Sequence, residues 1–369
     1  MTAQRAGPLG PDATIGILGG GQLGRMLALA AARLGFKCHV LCPDPHSPAF
    51  DVVRRVTEAD YADMAALDRF ANDVDVVTYE FENVPAETAT FLSARKPVLP
   101  DPKVLAITQD RLIEKEFIKS LGIGTAKFAA VDSPEGLAAA LKIIGQPAVL
   151  KTRRFGYDGK GQVMLRNGGD PAAIFNNLGG QPLILEAFVP FEREISVVAA
   201  RGRDGRIECF DVTENEHQDH ILKTSRVPAA VTPAVDAEAR RIAAAIAQAF
   251  GYVGVLAVEM FMVKDGASHT VLVNEIAPRV HNSGHWTIDG ASVSQFEQHI
   301  RAVAGLPLGK PIRRGRIEMT NLLGDDVDDV GKWLETPDAA VHLYGKTAVR
   351  PGRKMGHVTQ VFPKQVFPE

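Results

Sequence analysis

Hydrophobic positions near the start of the chain alternate between the periods of strands and helices. The apolar run Thr14–Leu18 predicts a buried strand, and Lys37–Leu41 predicts a second one. Between them, Gln22–Leu34 has the pattern of a helix that ends at Gly35. The alternation continues with one strand and two helices, predicted at Val74–Thr78, Pro85–Leu92 and Pro102–Leu121. This order predicts a parallel α/β domain over residues 1–122.

A smaller unit is predicted at residues 123–190. Pro134–Ile144 has the pattern of a helix. Ala148–Lys151 and Gln162–Leu165 predict two short strands, joined by a glycine-containing segment. We interpret this unit as a small lid domain.

Long strands dominate residues 191–308. They are predicted as two hairpins separated by a helix: Glu194–Arg201 with Arg206–Thr213, then Asp236–Phe250, then Val255–Val263 with Thr270–Ile276. Residues 309–369 have short apolar runs and many basic residues, which predict a small β-rich C-terminal domain. The fold class is therefore α/β passing into α+β.

Composition and charge narrow the class of protein. The 369 residues are 46% hydrophobic and 23% charged, and the net charge of −3 provides no overall basic field for nucleic acid. The three cysteines, Cys38, Cys42 and Cys209, form no Cys-x-x-Cys pair, which favours a reducing cytoplasm over a disulfide framework. Gln22 and Arg25 interrupt the first long apolar stretch, so we expect no membrane span.

A glycine-rich loop joins the first predicted strand to the first helix. Gly19 to Gly24 satisfy G-x-G-x-x-G, and Asp44 follows at about the twenty-residue spacing of a ribose-binding acid. This motif is compatible with an NAD-dependent oxidoreductase. Backbone N–H groups at a helix N-terminus bind a phosphate monoester equally well, and glycines also serve helix–strand packing. The loop alone leaves these three interpretations open.

Two glutamates interrupt the apolar strands of the last predicted hairpin. With a turn centred on Ala267, Glu259 and Glu275 are direct cross-strand neighbours. Facing carboxylates repel each other unless one is protonated or a cation lies between them. Mg²⁺ accepts one or two carboxylates and leaves its other positions for phosphates and water, so we predict a magnesium site. The simpler alternative is that one glutamate pairs with Arg279, and a single bulge would remove the facing geometry.

Histidines offer a second, zinc-based interpretation. His217 with His220, and His281 with His285, have spacings that zinc ligands can adopt. A proline before the second pair and a glycine within it argue against one helix that presents both rings. We therefore prefer substrate or structural contacts for these histidines.

The segment between the two lid strands has the composition of a phosphate-binding loop. Lys151 ends the first strand, where it can serve as a compact charge for phosphate oxygens, although a solvated strand end is the simpler interpretation. Arg153 and Arg154 begin a loop with three glycines, which combines positive charge with accessible N–H groups. We predict that this loop closes over nucleotide phosphates.

Six motifs follow one another in order along nearly the whole chain. They are Gly-Gly-Gly-Gln-Leu-Gly-Arg-Met at 19–26, Thr-Tyr-Glu-Phe-Glu-Asn-Val at 78–84, Gln-Asp-Arg at 109–111, Gly-Tyr-Asp-Gly-Lys-Gly-Gln at 156–162, Asn-Glu-Ile-Ala-Pro-Arg-Val-His-Asn-Ser-Gly-His-Trp at 274–286, and Arg-Pro-Gly-Arg-Lys-Met-Gly-His at 350–357. Together they resemble the N5-carboxyaminoimidazole ribonucleotide synthetase family. The resemblance implies an ATP-grasp fold with an N-terminal pre-ATP-grasp (Rossmann-like) domain, a small lid domain and an antiparallel catalytic sheet.

The same resemblance implies roles for matching residues. Those expected around ATP are Arg111, Lys151, Gly156, Tyr157, Asp158, Gly159, Lys160, Gly161, Gln162, the strand edge Glu186, Ala187, Phe188 and Val189 beside adenine, Glu194 on the ribose, His217, Asn274 and Glu275. Glu259 and Glu275 would hold Mg²⁺. The ribonucleotide would contact the amides of Gln22 and Leu23 through its phosphate, and also Glu80, Tyr157, Asp158, Lys346, Arg353 and Lys354. The catalytic candidates are Arg279, His281 and Asn282, which would face bicarbonate, and Lys160.

The implied activity is ATP- and bicarbonate-dependent carboxylation of the exocyclic amine of 5-aminoimidazole ribonucleotide through carboxyphosphate, in purine biosynthesis, by a cytoplasmic homodimer. The alternatives are another ATP-grasp ligase such as the formate-dependent glycinamide ribonucleotide transformylase, an NAD-dependent oxidoreductase, and a non-catalytic nucleotide-binding protein. Ala277 stands where many ATP-grasp enzymes carry the asparagine of Glu-x-Asn. This departure puts a third side-chain metal ligand in doubt and argues against biotin carboxylase.

Overall fold

The computed structural model describes residues 7–156 and 159–363. Within these ranges the helices are α1 Gln22–Arg33, α2 Met64–Asn72, α3 Ala86–Ser93, α4 Pro102–Thr108, α5 Arg111–Ser120, α6 Pro134–Ile144, α7 Pro171–Asn177, α8 Pro233–Ala249, α9 Thr287–Gly290, α10 Gln295–Ala304 and α11 Val330–Leu334. The strands are β1 Thr14–Leu18, β2 Lys37–Cys42, β3 Arg55–Glu58, β4 Val76–Tyr79, β5 Phe128–Val131, β6 Ala148–Thr152, β7 Gln162–Leu165, β8 Leu183–Ala187, β9 Arg193–Arg201, β10 Ile207–Cys209, β11 Thr213–Gln218, β12 Ile221–Val227, β13 Gly254–Asp265, β14 Ser268–Ala277, β15 Gly315–Leu323, β16 Ala339–Leu343 and β17 Lys354–Pro363. None of these helices is both long and apolar enough to cross a membrane.

The N-terminal sheet is parallel, in the order β3-β2-β1-β4. Ile15 and Ile17 on β1 are fully buried against apolar residues of α1 such as Leu27. Apolar side chains on the helix therefore cover one face of the strands, as in other β-α-β units. The predicted α/β start of the chain is confirmed.

The prediction of one long helix over Pro102–Leu121 is wrong. Two helices, α4 and α5, are separated by Gln109 and Asp110. Asp110 has an extended backbone, and its carboxylate accepts hydrogen bonds from the amides of Leu112 and Ile113 at the start of α5. An aspartate in this conformation caps a new helix instead of continuing the old one.

The lid carries a four-stranded antiparallel sheet in the order β5-β8-β6-β7. Its predicted helix and its two predicted strands form at α6, β6 and β7. The apolar pattern does not predict the outer strand β5 or the central strand β8, because their short apolar runs carry no clear alternation. Only the family resemblance implies a strand that reaches Glu186.

The large sheet is antiparallel and runs β14-β13-β9-β11-β12-β15-β17-β16, with β10 also paired to β9. The predicted hairpin of Glu194–Arg201 with Arg206–Thr213 forms, because β10 pairs with β9 in antiparallel fashion. Its second strand is shorter than predicted, since β10 ends at Cys209 and β11 begins at Thr213. The C-terminal strands expected in the β-rich region do form, and they join this same sheet through the pairing of β12 with β15. One sheet thus extends from the site hairpin β13–β14 to the C-terminal strands.

A buried histidine links the N-terminal sheet to the large sheet. His299 on α10 accepts a hydrogen bond at Nδ1 from the Val255 amide of β13 (3.1 Å), and its Nε2 lies 2.7 Å from the Thr78 hydroxyl of β4. The ring is inaccessible to solvent. Burial lowers the pKa of His299 to about 4, so the ring is neutral at pH 7.

Candidate active site

A cavity of about 750 Å³ is bordered by the N-terminal domain, the lid and the large sheet. The predicted site residues that line it are Gln22, Leu23, Glu80, Arg111, Lys151, Gly156, Gly159, Lys160, Gln162, Glu186, Ala187, Phe188, Val189, Glu194, His217, Glu259, Asn274, Glu275, Arg279, His281, Asn282 and Lys354. Gly161, Lys346 and Arg353 are not on its wall, and Tyr157 and Asp158 lie outside the described residues. Residues far apart in the sequence therefore converge on one cavity.

Glu259 and Glu275 are direct cross-strand partners, as predicted, but for a different reason. The turn lies between Asp265 and Ser268, so a regular hairpin would place Glu259 opposite residue 274. A β-bulge beside Glu259 adds one residue to β14 and restores the pairing with Glu275. A bulge re-aims side chains locally, and both Asn274 and Glu275 line the cavity.

The charges of the two glutamates are met by residues of the protein itself. Arg111 Nη1 donates to Glu275 Oε2 at 2.8 Å, and His281 Nε2 lies 2.7 Å from Glu259 Oε1. The alternative pairing of a glutamate with Arg279 is wrong. Burial disfavours the Glu275 carboxylate, but Arg111 outweighs it and lowers the pKa of Glu275 to about 2. The glutamate remains an anion that can bind a cation.

The pair fits a metal that takes few protein ligands. Among the described residues no group of three histidine, cysteine or carboxylate side chains could hold an ion alone. Glu259 and Glu275 provide two carboxylates on one wall of a cavity large enough for a nucleotide. That donor set suits Mg²⁺, which completes its shell with phosphate and water oxygens.

Lys151 is held inside the cavity wall by a buried carboxylate. Its Nζ donates to Glu186 Oε2 at 3.0 Å, and the side chain of Lys115 lies 3.4 Å from the same oxygen. Glu186 is a buried position of β8, which pairs with β5 and β6 on its two sides. The prediction that Glu186 and Ala187 form a strand edge is therefore wrong, and only Phe188 and Val189 extend beyond the strand.

One end of the cavity is apolar. Val149 and Met164 of the lid sheet line it together with Phe188. Phe191 and Phe261 stack with ring centroids 4.7 Å apart, and both also line the cavity. Flat apolar walls of this kind suit a planar heterocycle.

Polar side chains lie beside this apolar end. Glu194 on β9 and His217 on β11 contact each other through Oε2 and Nδ1. Burial disfavours the protonated ring, but the Glu194 carboxylate outweighs it and raises the pKa of His217. The pair presents hydrogen-bonding groups next to the aromatic surface.

The glycine loop holds a side chain of the protein. Gly19 has φ +99°, which suits glycine, and turns the chain toward α1. The amides of Gly21 and Gly24 donate to the two carboxylate oxygens of Glu80, the second at 2.7 Å. A dinucleotide pyrophosphate would compete with Glu80 for these amides. The NAD-dependent interpretation is therefore not favoured.

The interpretation of Arg153 and Arg154 as phosphate ligands does not agree with their contacts. Arg153 forms a two-point pair with Asp110, with Nη2 2.7 Å from Oδ2, and Arg154 Nη2 donates to Gln109 Oε1 at 2.8 Å. The backbone amide of Arg111 also donates to the Arg153 carbonyl. Both arginines connect the segment that follows β6 to the break between α4 and α5.

Arg279 is held by Glu82, a residue the prediction missed. Its Nη2 donates to Oε1 at 3.0 Å and its Nε donates to Oε2. Burial disfavours the Glu82 carboxylate, but Arg279 outweighs it and lowers the pKa of Glu82. Glu82 lies within a motif already singled out at 78–84, so its spacing two residues after Glu80 was the available signal.

The basic C-terminal residues reach the cavity unequally. Lys354 lines it, while Lys346 donates to the Lys354 carbonyl at 2.7 Å. Arg353 Nη1 donates to the Ala348 carbonyl at 2.6 Å, within the same loop. Lys354 is thus the residue of this group that faces the cavity.

Two buried charged residues of α5 were also missed. Lys115 and Glu114 are almost inaccessible to solvent. Burial raises the pKa of Glu114 to about 8. Because Lys115 lies one helical turn after Arg111 and three residues before the buried Ile118, its position on the inward face could have indicated a buried charge.

Family models match most of the chain. The ribonucleotide synthetase preATP-grasp domain matches residues 12–109, the ATP-grasp domain matches 116–296, and the phosphoribosylaminoimidazole carboxylase C-terminal domain matches 318–365. These matches agree with the fold class predicted from the motifs.

Individual relatives are similar over nearly their whole length. The N5-carboxyaminoimidazole ribonucleotide synthase of Brucella melitensis is 51% identical over 97% of this chain and 99% of its own. The ADP complex of an N5-carboxyaminoimidazole ribonucleotide synthetase has a TM-score of 0.93 and 41% identity, covering 97% of this chain and 94% of its own. The Aspergillus clavatus enzyme in complex with ADP and 5-aminoimidazole ribonucleotide has a TM-score of 0.88 and 31% identity, covering 96% and 94%. The chain belongs to the N5-carboxyaminoimidazole ribonucleotide synthase family of ATP-grasp ligases.

Proposed function

We propose that the chain carboxylates the exocyclic amine of 5-aminoimidazole ribonucleotide at the expense of ATP, with bicarbonate as the carbon source. The observation that carries this proposal is the 51% identity to a synthase of this activity over 97% of the chain. The ADP and 5-aminoimidazole ribonucleotide named for the Aspergillus clavatus structure support an adenine nucleotide and this ribonucleotide as ligands here. The product is N5-carboxyaminoimidazole ribonucleotide, an intermediate of purine biosynthesis.

The nucleotide would lie between the lid and the large sheet. Its adenine would pack at the apolar end formed by Phe191 and Phe261, and its ribose hydroxyls would donate hydrogen bonds to Glu194. Lys151, held by Glu186, would neutralise phosphate charge.

Glu259 and Glu275 would hold Mg²⁺ beside the phosphates of the nucleotide, with Asn274 next to them. When bound, Mg²⁺ offsets the negative charge that develops on a phosphoryl group during its transfer. Arg111 pairs with Glu275 and lines the same wall, so it would add a positive charge there.

The acceptor would bind at the opposite end, near the glycine loop. The amides of Gln22 and Leu23 open α1 and line the cavity, which suits a phosphate monoester. Lys354 faces the same space and would add a positive charge. Glu80 accepts hydrogen bonds from neighbouring amides of the loop, and from this position it would orient the ribonucleotide.

The chemistry proceeds in two transfers. A bicarbonate oxygen attacks the γ-phosphorus of ATP, the bond to ADP breaks, and carboxyphosphate forms. Carboxyphosphate then releases CO₂ and phosphate, and the exocyclic amine adds to CO₂ with loss of a proton to give the carbamate. Arg279, fixed by Glu82, would hold the bicarbonate, with His281 and Asn282 beside it. The loop carrying Lys160 would exclude water from the unstable intermediate.

ADP release is the direct test. We expect release to require bicarbonate and 5-aminoimidazole ribonucleotide together for full rate, and the carboxylated ribonucleotide to form in equal amount. Formate with glycinamide ribonucleotide in place of these substrates serves as the control for the other ligase. ADP release that depends on formate, or calorimetric binding of NADH in preference to ADP, would overturn the proposal.

A homodimer and a cytoplasmic location remain predictions. They rest on the family resemblance and on the absence of Cys-x-x-Cys pairs in the sequence. Sedimentation velocity of the purified chain measures the first, and a fluorescent fusion localises the second.

A further inference from the structure

The hairpin that carries the two glutamates lies at the end of the large sheet. β14 pairs with β13 on one side and is the terminal strand of the sheet order. Its other edge would therefore present unpaired backbone groups. At Val273 these groups are met by the Gly124 carbonyl and by the Thr125 hydroxyl, at 2.8 and 2.9 Å.

At the bulge, side chains of α5 form the hydrogen bonds to the unpaired edge of β14. Lys115 Nζ donates to the Asn274 carbonyl at 3.1 Å. Glu114 Oε1 accepts from the Ile276 amide at 2.6 Å. The two bonds lie on either side of Glu275, so a lysine and a glutamate replace the missing neighbouring strand at this point.

Lys115 also reaches two other elements. Its Nζ donates to the Thr125 hydroxyl at 3.0 Å and lies 3.4 Å from Glu186 Oε2, the oxygen that also accepts from Lys151. The ammonium group thus joins the bulge of β14 to the carboxylate that holds Lys151. Buried charges with this many partners fix geometry, because removing one leaves the others unpaired.

The bulge determines which way Glu275 points. Without the extra residue, β14 would keep the register of the pairs nearer the turn, such as Met260 with Val273, and residue 274 would face Glu259. A shift of one residue turns side chains to the opposite face of a sheet. Glu275 would then point away from the cavity wall it shares with Glu259.

We propose that Glu114 and Lys115 are positioning residues that hold the β14 bulge and so present Asn274 and Glu275 to the magnesium nucleotide. The inference rests on the proposed function, in which those two residues contact the metal and phosphates. Neither Glu114 nor Lys115 lines the main cavity, although Glu114 borders a smaller pocket beside it that Arg111 and Glu275 also line. The contact that both residues make with β14 is a hydrogen bond to its backbone.

Two substitutions test the role of the bonds. Lys115→Met and Glu114→Met remove the donor and the acceptor while keeping most of the side-chain volume. Glu114→Gln keeps an oxygen that can accept from the Ile276 amide, and therefore separates the hydrogen bond from the charge. Lys119→Met and Glu116→Met make the same chemical changes on exposed positions of α5 and serve as matched controls.

The measurements are calorimetric titration with ADP, with and without Mg²⁺, and hydrogen exchange of the 270–277 segment. Lys115→Met and Glu114→Met should weaken Mg²⁺-ADP binding about tenfold or more, as expected when a buried hydrogen bond is lost and its backbone partner is left unpaired. ADP binding without Mg²⁺ should change much less. Amides at the bulge should exchange faster, while the KM for the ribonucleotide stays near the wild-type value. Glu114→Gln should restore binding.

The outcomes are distinct. Binding of Mg²⁺-ADP within about threefold of wild type in both methionine variants would refute the inference. Equal weakening with and without Mg²⁺, unrelieved in Glu114→Gln, would show a general structural role and would also refute it. If Lys115→Met fails to fold, the Glu114→Met and Glu114→Gln pair decides. An active Glu275→Gln variant would instead contradict the metal role given to Glu275, whatever α5 does. Failure of the proposed function would appear separately, as ADP release by the wild type that does not depend on bicarbonate and the ribonucleotide.

Discussion

Acidification should loosen the junction between the N-terminal sheet and the large sheet through His299. Its Nδ1 accepts from the Val255 amide, so the ring proton sits on Nε2 and is donated to the Thr78 hydroxyl. A second proton would have to enter at Nδ1 and would displace the Val255 bond. The neutral ring is the form that the folded protein accommodates.

The size of the effect follows from the two pKa values. The pKa of His299 is about 4 in the folded protein, against 6.5 for an unperturbed histidine. Because the unfolded chain binds the proton more readily, the stability from His299 is complete above pH 6.5 and is lost as the pH falls toward 4. Between pH 7 and pH 5 this amounts to about 2 kcal/mol in the free energy of unfolding.

Urea denaturation of the wild type and of His299→Asn at pH 7 and pH 5 measures the difference. The asparagine oxygen can still accept from the Val255 amide but does not titrate. The variant should be less stable at pH 7, and its loss of stability on acidification should be smaller by about 2 kcal/mol. His46→Asn makes the same change on an exposed residue and should leave the pH dependence as it is.

The buried rings of His285 and His357 also have pKa values lowered by burial, so the wild type should lose stability on acidification by more than the His299 share. The difference in pH dependence between the wild type and His299→Asn separates the contribution of His299 from those of His285 and His357. Equal acid sensitivity in the wild type and in His299→Asn would refute the assignment of a neutral, buried His299.

Three further predictions concern the site. Glu275→Gln should lower kcat by about 100-fold or more, since a group that holds charge at the transferring phosphoryl is lost; a near wild-type kcat would contradict the proposed metal role. Asp110→Asn should still cap α5 but weaken the pair with Arg153, lowering the free energy of unfolding by about 1.5–3 kcal/mol in urea denaturation; an unchanged midpoint would show that the pair contributes little. Lys354→Ala should raise the KM for the ribonucleotide about 10- to 150-fold without changing the KM for ATP, whereas Arg353→Ala, which is off the cavity wall, should change neither much. Equal effects of these two alanine substitutions would remove the distinction between them.

Periodicity predicted the elements whose buried faces repeat regularly. β1, α6 and β7 form at the predicted residues. β1 is a short apolar run that is buried on both faces of its sheet, and α6 has one apolar face that packs on the lid sheet. The predicted helix over 102–121 failed because the apolar period continues across Asp110. Only the capping geometry of that residue shows that a new helix begins there.

The candidate site was predictable where the chemistry lies in the residue type. Two carboxylates in an apolar hairpin need polar or charged partners whatever the exact register, and in the structure Arg111 and His281 contact them. The register itself was reached from a turn centred on Ala267, while the structure reaches it from a shorter turn and a bulge. Bulges depend on partners far away in the chain, here Lys115 and Glu114, and those partners are not visible in the local pattern.

Contacts between distant charges were the least predictable part of the site. Arg153 and Arg154 have the composition expected of phosphate ligands, yet they pair with Asp110 and Gln109. A guanidinium group binds a carboxylate and a phosphate with the same geometry. The sequence therefore identifies the chemistry of these arginines but not the partner they choose.

The continuity of the large sheet has a consequence for synthesis of the chain. β12 pairs with β15, and β17 lies between β15 and β16, so the sheet that carries the site hairpin is completed only by residues 315–363. Pairings this distant in sequence form slowly, since a long loop must close first. During translation, the edge of β12 stays open until these strands emerge from the ribosome, and an open edge can pair with other chains. Nascent chains that stall before residue 315 should therefore depend on chaperones more than the finished protein does.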